Sequence, residues 1–153
     1  MEFKQPYIFQ YDTEKFPFRG KAENILRTFD LEGLHSYKEY GLLEAAKTDQ
    51  STDWHKLFYE SFQEKMGDLY VKFLNEVVKP YFSITEGQLV YQKIPTFRVH
   101  LENNVGVGEF HRDSDYNHKS YELNLWLPFT DTFETNTIWI NSDVILILLF
   151  HFL

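Results

Sequence analysis

Residues 105–139, VGVGEFHRDSDYNHKSYELNLWLPFTDTFETNTIW, contain strand-like segments and a His-x-Asp pair, His111 and Asp113. On a β-strand, residues two apart project to the same face, so this spacing sets an imidazole beside a carboxylate. Those groups are two of the three donors of a 2-His-1-carboxylate facial triad, which holds non-haem Fe(II) and leaves coordination positions open. A bare His-x-Asp also arises as a loop histidine near a turn aspartate, so the flanking residues carry the weight. Gly106 and Gly108 leave room beside the backbone just before the pair, and Asp115-Tyr116-Asn117-His118 makes a polar loop after it. In the next segment Leu123, Leu125 and Leu127 share one face, while Glu122, Asn124 and Trp126 share the other. The second face carries an amide and an indole, both hydrogen-bond donors.

Outward from this stretch, the residues after Gly87 are rich in Val, Ile, Thr and aromatics, with Gly and Asn breaks, as strands and turns require. Strands are expected near residues 88–101, 105–113, 121–129 and 136–141, with turns at Asn103-Asn104 and around Asp131–Asn136. Arg98 lies in the first of these, with His100 on the same face, and its guanidinium is a candidate for gripping a carboxylate or phosphate bidentately. Asn124 is a candidate polar contact for a bound co-substrate. The preceding half is helical. Trp54, Phe58, Phe62, Met66, Leu69, Phe73 and Val77 recur three and four apart, which predicts a helix over 53–79 with an apolar stripe. Ser51, Thr52 or Asp53 would cap it, and Pro80 would end it. Shorter helices are expected over 22–31 and 36–47, and a short strand or extended arm over 3–11. His35 and His55 in this half are expected to be surface or capping residues. Helices followed by a run of antiparallel strands define an α+β fold: one domain over 1–153, mainly helical over 1–86.

Composition narrows the function. With 153 residues, 43% hydrophobic and 18% aromatic, the chain has material for one well-filled core. A net charge of −8 and the lack of any Lys/Arg-rich run argue against a nucleic-acid partner. The chain has no cysteine, which rules out thiolate metal sites and disulfides and fits a reducing cytoplasm. The longest apolar run, Val144–Leu153, is too short to span a bilayer, so no membrane partner is expected. His111-Arg112-Asp113 spells the H-R-D of a protein-kinase catalytic loop, but the Asn required five residues on is His118, and no D-F-G follows.

Taken together, residues 95–142 resemble the 2-oxoglutarate/Fe(II)-dependent dioxygenase superfamily. The likeness is greatest to the streptomycin-biosynthesis StrG-type group and more distant to phytanoyl-CoA hydroxylase-like enzymes. It rests on His111-x-Asp113, on N-x-W-x-P-x-T-D from Asn124 to Asp131, and on Thr137-x-Trp139, in that order. The resemblance implies a double-stranded β-helix (jelly-roll, cupin-like) core over residues 87–153 with flanking helices. It implies Fe(II) bound by His111 and Asp113, with Arg98 and Asn124 as candidates for holding 2-oxoglutarate or substrate, and hydroxylation or another oxidation of a small metabolite.

The family pattern also places a second histidine on a later strand, followed by Arg or Lys. After Trp139 the chain has one histidine, His151, and no Arg or Lys. The run VILILLFHFL from Val144 onward has no charge and no turn residue, and it reads as a buried strand or an aggregation-prone end. The expectation is a C-terminally truncated chain with an incomplete jelly roll and half of the metal site, the frame having changed near Asp143. A non-catalytic cupin-like ligand-binding module and an inactive product are the alternatives.

Overall fold

Aromatic side chains set three and four residues apart organise the helical part of the chain. The computed structural model describes residues 7–36, 52–84, 89–99, 122, 124–133, 136–137 and 147–150. The chain divides into two compact units, one formed by Met1–Asp12 with Gly108–Leu153 and the other by Thr13–Val107. The change of character expected after residue 87 therefore falls inside the second unit.

In the second unit, α1 spans Phe18–Leu26 and buries Phe18, Ala22, Ile25 and Leu26, one face at helical spacing. It begins four residues before the expected 22–31, because Pro17 serves as the residue before the first turn and the Lys21 N–H bonds its carbonyl (3.1 Å). It ends at Leu26, where Arg27 turns left-handed (φ 56°). The next residues form a side-chain-built turn. The Asp30 N–H donates to Thr28 Oγ1 (3.1 Å) and the Gly33 N–H to Asp30 Oδ1 (2.8 Å). A Cβ at position 33 would meet the Asp30 carboxylate, which would have to move from its present place. Arg19 ties this turn to α1 through a fork onto both Glu32 oxygens (2.6 and 2.5 Å) and a contact to Glu23 (3.2 Å). A 3-10 turn, Leu34–Ser36, follows. The helix expected over 36–47 lies outside the described residues beyond Ser36.

The helix expected over 53–79 is segmented into α2 (Asp53–Lys65), α3 (Gly67–Phe73), a π turn (Leu74–Val78) and α4 (Lys79–Tyr81). Thr52 caps α2. Its Oγ1 accepts from the His55 N–H (3.4 Å), and His55 Nδ1 accepts from the Thr52 N–H (3.3 Å), a capping box in which an imidazole stands where Glu or Gln is usual. Trp54, Phe58, Phe62 and Met66 are buried as the stripe requires. Beyond Met66 the phase changes. Leu69 and Val77 are half-buried, and Phe73, Leu74 and Val78 take the core positions. A π turn carries one extra residue and rotates the following face by one position. Asn75 favours it by donating its side-chain amide to the Val71 carbonyl (2.9 Å), the acceptor that an α-helix reserves for the Asn75 N–H. Pro80 does not stop the helix where expected; winding continues through Tyr81, and Ser83 with φ 52° closes it.

Phe73 sits where the packing converges. Its ring meets Phe16 (5.4 Å) and Phe18 (5.2 Å) edge-on. Phe62 touches Phe58 (5.3 Å) and Tyr70 (5.6 Å).

In the other unit, β1 (Tyr7–Phe9), β2 (Asn124–Trp126) and β3 (Ile147–Phe150) form a sheet of order β1-β3-β2. Both ladders are parallel, with Ile8 opposite Leu149 and Leu125 opposite Leu148. The antiparallel neighbours expected after residue 87 are not among the described pairings. Parallel strands are not joined by tight hairpins, and here residues 127–146 lie between β2 and β3. Residues 89–99, expected within a strand, have no ladder assigned.

Phe62, fully buried, should be the most damaging single truncation in the helical unit: Phe62→Ala should lower stability by about 3–5 kcal/mol. Thr52→Ala should cost about 1 kcal/mol. Urea denaturation followed by circular dichroism checks both.

Burial raises the phenol pKa of Tyr11 and of Tyr70, the latter also under the influence of Tyr91, above the ordinary 10.0. The folded state thus retains protons that the unfolded chain releases near pH 10. Stability should be level below that pH and fall as pH rises through it. Alkaline melts of Tyr70→Phe against the native chain test this, and the variant should show the shallower fall.

Candidate functional site

The residues around Arg98 form the best-defined candidate surface in the helical unit. Phe97 and Val99 are buried (6% and 8% exposed) and Arg98 between them is exposed, the alternation expected of extended backbone. Three side chains of α2 hold Phe97. Its ring stacks on Phe58 at 4.2 Å with 9° between planes, and His55 meets its edge at 5.4 Å. The Phe97 N–H donates to the Tyr59 hydroxyl (3.1 Å). A side chain of α2 thus supplies the acceptor for the Phe97 N–H. Arg98 is thus an exposed residue between two buried neighbours.

His55 is both buried (2% exposed) and the capping partner of Thr52, with Oγ1 and Nδ1 2.8 Å apart. Of the two expectations for this histidine, capping is what the structure gives. His35 lies in the 3-10 turn.

Asn124 opens β2 and is exposed; Leu125, Trp126 and Leu127 are half-buried and Pro128 is buried. The loop after the strand is clasped by Asn136. Its amide donates to the Asp131 carbonyl (2.9 Å), and its Oδ1 accepts from the Phe133 N–H (2.5 Å). This agrees with the turn expected over 131–136.

His111 and Asp113, the candidate metal ligands, lie outside the described residues, as do His100, His118 and His151. Among the described residues no three His, Asp or Glu side chains form a metal-holding group. No helix among them is long and apolar enough to cross a membrane.

The role of Tyr59 was not visible in the sequence. It stands one position off the apolar stripe, 38 residues from its partner, and a tyrosine at a helix edge signals nothing by itself.

Comparison with known proteins adds one relative. Over 135 residues, 88% of this chain, the sequence is 36% identical to the streptomycin biosynthesis protein StrG of Streptomyces griseus. The chain spans 63% of the length of that relative, less than two thirds. Because the match leaves out only 18 of 153 residues, it takes in every position from 19 to 135, Arg98, His111, Asp113 and Asn124 included. No family model matches the chain, and no solved structure does.

Phe97→Ala should free the segment around Arg98: amide exchange over residues 96–99 should quicken by about tenfold or more, while exchange in α2 beyond Phe62 stays slow. Hydrogen-exchange mass spectrometry reads this directly.

Proposed function

We propose that the chain carries the first part of a non-haem Fe(II)/2-oxoglutarate-dependent oxygenase that acts on a small metabolite. The observation that carries the reading is the 36% identity to a streptomycin biosynthesis protein across the span that holds His111-x-Asp113 and the N-x-W-x-P-x-T-D block. The fold proposed for residues 87–153 is part of a double-stranded β-helix flanked by the helices described above.

His111 and Asp113 offer one neutral imidazole nitrogen and one carboxylate oxygen, a donor set that fits Fe(II) and suits soft thiolate-seeking metals poorly. When bound, Fe(II) would supply the activation of O2 that couples 2-oxoglutarate decarboxylation to substrate oxidation. The protein's own part is binding and orientation. The Arg98 guanidinium is a candidate to present paired N–H donors to a carboxylate of 2-oxoglutarate or substrate. The Asn124 amide is a separate candidate hydrogen-bond donor. The distal metal ligand of the family pattern is not assigned to a residue of this chain.

The second reading is a non-catalytic cupin-like module. In that case His111 and Asp113 serve as hydrogen-bonding residues for a small ligand.

Anaerobic titration with Fe(II) separates the two. The oxygenase reading expects binding that His111→Ala and Asp113→Ala each abolish, with succinate formed from 2-oxoglutarate in the native chain alone. Undiminished iron-dependent 2-oxoglutarate turnover in either variant overturns the ligand assignment. Failure of the native chain to take up Fe(II) at micromolar concentration supports the module.

A further inference from the structure

We draw no further inference here: the strongest candidate, an acid-sensitive cap at the start of α2, where the buried His55 Nδ1 lies 2.8 Å from Thr52 Oγ1, carries nothing because His55 has further interactions and the charges that would set the sign of a response to its protonation are not fixed by the described residues.

Discussion

The contact between Phe97 and α2 is the constraint on which the helical unit's candidate surface depends. It joins a segment with no regular structure of its own to a helix. It does so with two unlike forces. The parallel stack of Phe97 on Phe58 removes apolar area from water and resists separation, and the bond to the Tyr59 hydroxyl resists sliding. The same face of α2 is built by the cap at its start, since His55 closes the capping box and packs its ring edge against Phe97. The start of the helix and the placement of the arginine are therefore one piece of packing.

Much of the helical unit could be read from spacing. Trp54, Phe58, Phe62 and Met66 fall three and four apart and are buried as that pattern demands. The pattern then misleads at Leu69, which follows the break between α2 and α3 at Met66, and at Val77, within a π turn where the Asn75 side-chain amide takes the Val71 carbonyl; hydrophobic spacing contains no trace of either. The start of α1 was missed for a related reason. Pro17 looks like a breaker in a one-dimensional reading, and only the carbonyl it offers to Lys21 shows it to be a starter. Strand content was harder to read. A β ladder depends on partners far away in sequence, and β1, at Tyr7–Phe9, finds its partner at Ile147–Phe150.

The candidate site divides along similar lines. The sequence set Arg98 and Asn124 on strand faces without saying which faced solvent; the structure exposes both. The metal pair His111 and Asp113 stands on motif chemistry and on the span shared with StrG, whereas the support beneath Arg98 emerged only from coordinates. Chemistry-bearing residues announce themselves by type. The residues that aim them are ordinary aromatics, and their sequence neighbours give no hint of whom they touch.

The π turn at Leu74–Val78 has an implication for how this chain tolerates length changes. An α-helix advances about 100° per residue, so removing one residue there would restore the regular ladder and swing everything C-terminal to it by that angle. Lys79–Tyr81 would leave their present side of the bundle, and Val78 would lose its place in the core. The surplus residue is thus a phase adjuster. It lets an aromatic stripe laid down by one set of spacings hand over to a second set without a loop between them.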